Sequence, residues 1–239
     1  MKRPRRIVRD MLERIGMRPP IYRSEFGDYL NPAFVRAIRR RRVRTIFEFG
    51  CNGGEDTLQL RDTFGAVVHA FECNPNTLPI ARKRLAGQRN VCLVERAVWD
   101  ADERIPFYPV VHTTQGDRVV VNPGASSCYH AVPDYHQKYV QSEVMVEATR
   151  LDTYCTSNQL EAPELLCIDV QGAALRALRG LGGYINGVQA VIAEIEHREV
   201  FVGEDLYPAV DAFLTAAGFS QAIRIEREGW FCDYLYLRR

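Results

Sequence analysis

Short apolar runs recur along the chain, and the stretches between them mostly have the spacing of amphipathic helices. Five of these runs predict buried strands, at residues 43–49, 66–71, 90–94, 163–169 and 188–195. The last of the five is nearly continuously apolar, which is typical of a strand buried on both faces of a parallel sheet. Two final runs, 220–227 and 231–237, are so close together that they predict a hairpin. The pattern therefore predicts an α/β fold with a doubly wound, mostly parallel seven-stranded sheet and a C-terminal antiparallel hairpin.

The helix after the second predicted strand has clear start signals. Asn74 is predicted to cap it, with Pro75 at its first position. Leu78, Ala81 and Leu85 fall on one face and predict the stripe that packs on the sheet.

Residues 101–149 interrupt the alternation of strands and helices. The runs 104–111 and 118–121 predict a hairpin, and a long polar and aromatic region follows it. Insertions of this kind in α/β folds are common places for substrate-binding loops. The sequence therefore predicts a main domain over 43–239 whose substrate-binding insertion lies at about 101–149.

A glycine-rich turn follows the first predicted strand. Glu48 stands near the end of the strand, and Gly50, Gly53 and Gly54 allow a sharp turn and the close approach of a ligand. A dinucleotide-binding loop needs Gly-x-Gly-x-x-Gly, but Asn52 occupies the position of its second glycine. The acidic Glu48 favours a cationic ligand such as S-adenosylmethionine over a pyrophosphate. The other alternative is a tight loop that binds no ligand.

A second acidic residue strengthens the interpretation as a nucleoside site. Glu72 ends the second predicted strand, 22 positions after Gly50. A carboxylate about 20 positions after such a loop, at the tip of the next strand, accepts the ribose hydroxyls of an adenosine. Residues after the third strand, among them Ala97, are expected to face the adenine end of the ligand.

Length and composition set further bounds. The chain has 239 residues, 46% of them hydrophobic, which is enough for one well-buried domain. It has no apolar run of about 18 residues and no apolar signal-peptide core, so a cytoplasmic protein without a transmembrane helix is expected. The seven cysteines are scattered without zinc-ligand spacing, and we predict reduced thiols.

The net charge of +1 conceals a basic N-terminal end. Residues 1–44 carry 14 Lys and Arg against 4 Asp and Glu, including the run Arg39–Arg42. We predict a basic helical arm over 1–42 that packs on the body and covers one edge of the ligand site. Its charges fit nucleic acid, peripheral contact with an anionic membrane surface, or an acidic carrier. The alternative is a solvated arm without a partner.

Five motifs, in this order, resemble those of the FkbM-type S-adenosylmethionine-dependent methyltransferases. They are Glu48-x-Gly50-x-Asn52-x-Gly54, Phe71-Glu72-x-Asn74-Pro75, Thr149-Arg150-Leu151-Asp152, Ile168-Asp169-Val170-Gln171-Gly172-Ala173 and Ala193-Glu194-Ile195. The resemblance implies a class I, Rossmann-like methyltransferase fold and O-methylation of a hydroxyl on a sugar, a glycan or a secondary metabolite. Two positions depart from the family pattern, Cys167 in place of the usual lysine and Ala174 in place of an acidic residue.

The resemblance also implies a donor site. By analogy, Gly50, Asn52 and Gly54 line the methionine part of S-adenosylmethionine, and Glu72 holds its ribose. The complete set of predicted cofactor-binding residues is Glu48, Gly50, Asn52, Gly54, Glu72, Asn74, Ala97 and Asp169.

Carboxylates at strand ends are the candidates for catalysis. Asp169, on the strand expected beside the first, is predicted to be the general base or to hold a divalent cation such as Mg²⁺. Its alternative roles are a helix cap or a contact with the donor amine. Glu194, Glu196 and His197 are the next catalytic candidates, and Glu196 or His197 is favoured. Along a strand, Glu194 and Glu196 point to one face and His197 to the other, so all three cannot serve one site unless the strand ends before them.

Two other functions remain open on the sequence. A nucleic-acid methyltransferase would use the basic N-terminus, but the stretch Asp169–Gly172 lacks the proline and aromatic residues that stack a flipped base. The sequence therefore argues against nucleic acid as acceptor. A catalytically inactive, methyltransferase-like binding protein is the other alternative, and Cys167 and Ala174 are its support. Such a protein would bind the donor without turnover.

Overall fold

The structure is a computed structural model that describes residues 29–116, 118–226 and 230–239. Most of the predicted arm, residues 1–28, lies outside the described residues. The strands of the described part are β1 (Thr45–Phe49), β2 (Val67–Phe71), β3 (Val91–Val94), β4 (Ala97–Val98), β5 (Arg104–Phe107), β6 (Val110–Gln115), β7 (Arg118–Val120), β8 (Lys138–Gln141), β9 (Val144–Thr149), β10 (Leu165–Ile168), β11 (Ala190–Glu196), β12 (Phe219–Glu226) and β13 (Phe231–Arg238). The α-helices are α1 (Pro32–Ile38), α2 (Glu55–Phe64), α3 (Leu78–Leu85), α4 (Leu151–Ser157), α5 (Ala174–Arg179) and α6 (Tyr207–Ala216).

The main sheet has seven strands in the order β12-β13-β11-β10-β1-β2-β3. Strand β1 pairs in parallel with β2 and β10, and β13 pairs antiparallel with both β11 and β12. The predicted mostly parallel sheet with a C-terminal hairpin is therefore confirmed. The chain order reverses on either side of β1, so the carboxyl ends of β1, β2, β10 and β11 meet at one edge, which is the usual ligand edge of such sheets.

Apolar layers cover both faces of the sheet. On one face Phe47 of β1 packs in a cluster with Leu178 of α5. On the other face Ile46 packs in a second cluster with Phe34 of α1 and Leu60 of α2. Alternate residues of β1 thus enter different cores, which explains why this run is apolar without alternation.

Helix α1 attaches the described end of the basic segment to the body. Asn31 caps it, because the Asn31 Oδ1 atom accepts a hydrogen bond from the amide of Ala33 at 2.9 Å. Phe34 and Ile38 are fully buried, whereas Arg39 and Arg40 are exposed. Packing of its apolar face therefore holds α1, and the arginines point outward.

The insertion has more strands than the sequence pattern predicted. The run 104–111 is not one strand, because it divides at Tyr108 and Pro109 into β5 and β6. Strand β6 forms the predicted hairpin with β7 and also pairs with β8, whereas β5 pairs with β9. The prediction of a single long strand was wrong because these partners lie far apart in the sequence, and local patterning does not indicate them.

The start of α3 also differs from the prediction. The helix begins at Leu78, with Thr77 at its N-cap position, so Asn74 and Pro75 precede it in a turn. Asn74 Oδ1 accepts a hydrogen bond from the amide of Asn76 at 2.9 Å, which forms a local turn instead of a helix cap. The predicted stripe of Leu78, Ala81 and Leu85 is buried as expected.

The described residues bear on two features that the composition predicted, the absence of a transmembrane helix and the state of the cysteines. None of the described helices is both long and apolar enough to cross a membrane. The seven cysteines are free thiols, and Cys51, Cys155, Cys167 and Cys232 are buried.

Candidate active site

A cavity of about 700 Å³ opens at the carboxyl edge of the sheet. The loops after β1, β2 and β10 line it, together with the end of β11 and Phe231 at the start of β13. The insertion contributes residues 122–126 and the aromatic residues Tyr135 and Tyr139. Doubly wound folds bind ligands at this edge, beside the strand where the order reverses, so the cavity is the candidate site.

The turn after β1 makes a close backbone approach. Gly50 has a φ of +82°, and its amide donates a hydrogen bond to the carbonyl of Phe71 at 3.0 Å. A Cβ atom on Gly50 would lie 2.0 Å from the carbonyl oxygen of Asp169, so only glycine fits here. Asn52 also has a positive φ, +49°, which asparagine tolerates better than most residues.

Glu72 organises both loops that it joins. Its Oε2 atom accepts a hydrogen bond from the amide of Asn52 at 2.7 Å. Its Oε1 atom accepts from the amides of Cys73 at 2.9 Å and Asn74 at 2.7 Å. Burial raises the pKa of Glu72 to about 7, although these hydrogen bonds oppose the shift. Because a carboxylate has about four acceptor positions and three are occupied, Glu72 can still accept from one ligand hydroxyl.

Asn74 connects the loop after β2 to the insertion. Its Nδ2 atom donates to the Ser126 hydroxyl at 3.1 Å and to the carbonyl of Pro123 at 3.3 Å. The Ser126 hydroxyl in turn donates to the Pro123 carbonyl at 2.7 Å and accepts from the Val110 amide at 2.9 Å. Asn74 thus lines the cavity and also holds part of its wall in place.

Two buried polar atoms at the Glu48 end of the cavity have no hydrogen-bond partner among the described residues. Glu48 Oε2 accepts from the Thr57 hydroxyl at 2.5 Å, but Glu48 Oε1 has no partner. The hydroxyl of Tyr29, just before α1, has none either. Burial raises the pKa of Glu48 to about 8. Since buried polar atoms are normally hydrogen-bonded, these two indicate a polar ligand at this end of the cavity.

Asp169 follows β10 and lies beside Gly50. The Gln171 Nε2 atom donates to Asp169 Oδ1 at 2.5 Å and to Glu194 Oε1 at 2.9 Å. Burial, with a further contribution from Asp233, raises the pKa of Asp169 to about 7. Burial and the charge of Asp169 also raise the pKa of Glu194. A carboxyl that titrates near neutral pH is suited to accept a proton from a hydroxyl.

Glu196 is the last residue of β11, and His197 follows the strand. Glu196 lines the cavity, and burial and the nearby Glu204 raise its pKa. The His197 Nε2 atom lies 2.6 Å from the Tyr234 hydroxyl, and its ring stacks on Tyr207 with the ring centroids 5.0 Å apart. His197 does not line the cavity. The structure therefore brings Glu196, but not His197, to the cavity that Asp169 lines.

Most of the predicted donor residues line the cavity together. They are Glu48, Gly50, Asn52, Glu72, Asn74, Ala97 and Asp169. Gly54 does not line it. Its φ is +77°, and a Cβ atom there would lie 2.9 Å from Leu85 Cγ, so Gly54 allows α2 to pack against α3. Gly53 lines the cavity instead.

Several other lining residues carried no signal in the sequence. Arg84 of α3 and Arg96, after β3, are the arginines among the described lining residues. Phe107, Phe201 and Phe231 come from three distant parts of the chain. Tertiary packing alone brings them together, because an aromatic residue in a strand or loop has the same pattern whether it faces a core or a ligand.

The buried carboxyls predict how stability depends on pH. The raised pKa values are about 8 for Glu48 and about 7 for Glu72, Asp169 and Glu204. Between about pH 6.5 and 8 the folded state therefore binds protons that the unfolded chain has lost, so we expect the free energy of unfolding to fall as pH rises. Burial lowers the pKa values of His69 and His197, which oppose this trend mainly at lower pH. Urea denaturation across this range measures the slope, and a free energy that rises with pH would contradict the prediction.

The sequence of this chain is similar to those of known proteins. Residues 49–220 match the Methyltransferase FkbM domain. The 2-O-methyltransferase NoeI of Sinorhizobium fredii (strain NBRC 101917 / NGR234) is 26% identical over 162 residues, which cover 66% of this chain and 66% of that protein. The aligned region thus spans just under two thirds of that relative's length.

The fold was also compared with solved structures. A proposed O-methyltransferase from Klebsiella pneumoniae superposes with a TM-score of 0.50 at 13% identity, over 98% of this chain and 89% of that chain. Fibrillarin from Aeropyrum pernix, in complex with S-adenosyl-L-methionine, has a TM-score of 0.49 at 11% identity, over 91% of this chain and 81% of that chain. The match to the FkbM domain confirms the resemblance seen in the motifs: the chain belongs to the FkbM methyltransferase family.

Proposed function

We propose that the protein transfers a methyl group from S-adenosylmethionine to a hydroxyl of a sugar, a glycan or a secondary metabolite. The observation that carries the proposal is the pair of buried acidic residues, Glu48 and Glu72, that line the cavity around the glycine turn. The Glu48 carboxylate attracts a cationic donor and repels a pyrophosphate, whereas Glu72 is placed to accept from a ribose hydroxyl. The donor fits the site because Glu48 Oε1 has no partner among the described residues and can accept from its ammonium group.

Asp169 is the proposed general base. S-Adenosylmethionine supplies a methyl group bonded to a positively charged sulfur. As the acceptor oxygen bonds to this methyl carbon and the sulfur–carbon bond breaks, Asp169 takes the hydroxyl proton. Gln171 holds Asp169 in position through its hydrogen bond to Oδ1. Glu196 lies one strand further along the sheet edge and is proposed to bind the acceptor. Holding the acceptor oxygen close to the methyl carbon provides much of the rate acceleration.

The insertion is the proposed acceptor-binding region. Residues 122–126, Tyr135 and Tyr139 line the same cavity as the donor residues. The similarity to a 2-O-methyltransferase supports a hydroxyl as the acceptor group. Release of S-adenosylhomocysteine with a panel of sugars, glycans and hydroxylated metabolites tests this function.

The alternative function is that of a catalytically inactive, methyltransferase-like binding protein. Such a protein would bind the donor but release no S-adenosylhomocysteine with any acceptor in the same assay. The two departures from the family pattern give it little structural support. Cys167 packs in the cluster of Ile46, and Ala174 packs in the cluster of Phe47, so both belong to apolar cores. Neither residue lines the cavity.

A divalent cation at Asp169 stays a prediction. Within the described ranges, no group of three or more His, Cys, Asp and Glu side chains is arranged to hold a metal ion. Methyl transfer measured before and after dialysis against EDTA tests the prediction, and activity that is lost and then restored by Mg²⁺ would support it.

Replacing Glu72 with alanine is expected to weaken binding of S-adenosylmethionine at least about tenfold, which corresponds to about 1.4 kcal/mol. The variant loses the proposed ribose contact and the acceptor for the amides of Asn52, Cys73 and Asn74. Glu95→Ala is the matched control, because Glu95 is an exposed carboxylate that pairs with Arg82 and does not line the cavity. Calorimetric titration gives both affinities. Unchanged affinity in a folded Glu72→Ala protein would contradict the proposed donor site.

A further inference from the structure

The end of the cavity beyond Asp169 is acidic and has no cationic side chain among the described lining residues. Glu194 and Glu196 of β11 line it there. The arginines of the described lining, Arg84 and Arg96, lie after β2 and β3, at the other side of β1 in the strand order. In the proposed function the ammonium group of the donor binds Glu48. The carboxylates of Glu194 and Glu196 therefore remain available for another ligand.

Glu196 has an unsatisfied buried oxygen in this region. Its side chain is 3% exposed, and its Oε2 atom has no hydrogen-bond partner among the described residues. Glu204 and Asp169 are the acidic groups that act on it. Glu204 Oε2 is likewise buried without a hydrogen-bond partner among the described residues. A buried carboxylate is costly unless a cation or hydrogen-bond donors compensate it, so this position calls for a positively charged group.

Aromatic rings lie next to Glu204, since a Cβ atom on Gly172 would lie 2.5 Å from Glu204 Oε2 and 3.4 Å from Phe201 Cδ2. Tyr135 and Tyr139 of the insertion and Phe201, after β11, line the cavity and pack together. The ring centroids of Tyr135 and Tyr139 are 5.5 Å apart, and those of Tyr139 and Phe201 are 6.1 Å apart in a stacked arrangement. Aromatic faces beside a carboxylate attract an ammonium group through cation–π interactions.

A single small ligand can reach both Asp169 and the β11 carboxylates. One nitrogen, Gln171 Nε2, donates to Asp169 at 2.5 Å and to Glu194 at 2.9 Å, so these two carboxylates lie on either side of one atom. The two oxygens are therefore no further apart than the sum of these distances, so a hydroxyl and an amine on neighbouring carbons can donate one hydrogen bond to each.

We propose that Glu194, Glu196 and the aromatic rings of Tyr135, Tyr139 and Phe201 form a subsite for an ammonium group of the acceptor. The acceptor is then an amine-bearing polyol, such as an amino sugar, that is methylated on a neighbouring hydroxyl. This inference rests on the proposed function.

The subsite also explains selectivity for oxygen. The amine held as an ammonium ion has no lone pair and cannot attack the methyl group. The hydroxyl oxygen forms the new bond to carbon, the donor sulfur keeps the electrons of the broken bond, and the hydroxyl proton passes to Asp169. The ammonium group keeps its protons, and no redox step is involved.

Calorimetric titration of the protein saturated with S-adenosylhomocysteine tests the subsite. The probes are glucosamine, galactosamine and mannosamine, each compared with its N-acetyl form and with the matching neutral sugar. In at least one set the amine is expected to bind about tenfold more tightly than both counterparts. If no set favours the amine, the inference is overturned.

Two variants identify the residue responsible. Glu196→Gln is expected to reduce the preference for the amine to less than about threefold, because it removes the charge but keeps the shape. Glu161→Gln is the matched control, since Glu161 is exposed and lies before β10, at the opposite end of that strand. An amine preference that survives Glu196→Gln would overturn the assignment.

The donor titration keeps the two proposals separate. Failure of S-adenosylmethionine to bind would reject the proposed function itself. Donor binding without a preference for amines would reject the ammonium subsite and leave the proposed function intact.

Discussion

Replacing Asp169 with asparagine is expected to lower the rate of methyl transfer about 10²–10⁴-fold and to change the affinity for S-adenosylmethionine less than about threefold. Asparagine keeps the shape of the side chain, but it cannot take the hydroxyl proton. Because the pKa of Asp169 is raised to about 7, the rate of the unmodified protein should fall as pH decreases below this value. The variant should lose this inflection. Rates and affinities come from release of S-adenosylhomocysteine and from calorimetry.

The same measurement separates the roles predicted for Asp169. If Asp169 contacts the donor amine instead of acting as a base, Asp169→Asn will weaken donor binding and keep a similar rate at saturating donor. Asp62→Asn is the control, since Asp62 is an exposed partner of Arg61 on α2 and lies outside the cavity lining. A variant with full activity and an unchanged pH profile would contradict the assignment of Asp169 as base.

Replacing Gly50 with alanine is expected to weaken donor binding more than about tenfold and to destabilise the fold by at least about 1–2 kcal/mol. The backbone at Gly50 has a φ of +82°, and the new Cβ atom would lie 2.0 Å from the carbonyl oxygen of Asp169. That contact forces the turn away from β10 and thereby displaces both the donor loop and Asp169.

Gly65→Ala is the matched control for this variant. Gly65 ends α2 with a φ of +64°, and a Cβ atom there would have no neighbour within 4 Å. It should therefore show only the cost of the left-handed conformation, about 1 kcal/mol, with unchanged donor affinity. Urea denaturation and calorimetry measure both quantities. Equal donor affinity in the Gly50→Ala and Gly65→Ala proteins would show that the clash at Gly50 does not affect the donor site.

The sheet and much of the donor site could be predicted because the signals are local. Each strand with the turn after it is contiguous in sequence, and parallel pairing brings the strand ends to one edge. Glu48, Gly50 and Glu72 were therefore expected to lie close together, and the structure places all three in one cavity. Glu196 at the end of β11 lines the same cavity, whereas His197 just after the strand does not.

The features of the site that the sequence did not predict depend on contacts between residues distant in sequence. Asn74 has the signature of a helix cap, but its side chain donates to Ser126, which is 52 positions away. The aromatic lining joins Tyr135 of the insertion to Phe201 beyond β11, and no periodicity marks that pairing. Gly54 belongs to the same motif as Gly50, yet its φ and close contacts serve helix packing.

Calorimetric titration of the unmodified protein with S-adenosylmethionine and, separately, with NAD tests the proposed donor site most directly. We expect one site that binds the methyl donor and no measurable binding of NAD, because Glu48 attracts the donor's ammonium group and repels a pyrophosphate. Binding of NAD, or failure of S-adenosylmethionine to bind, would contradict the donor site proposed here.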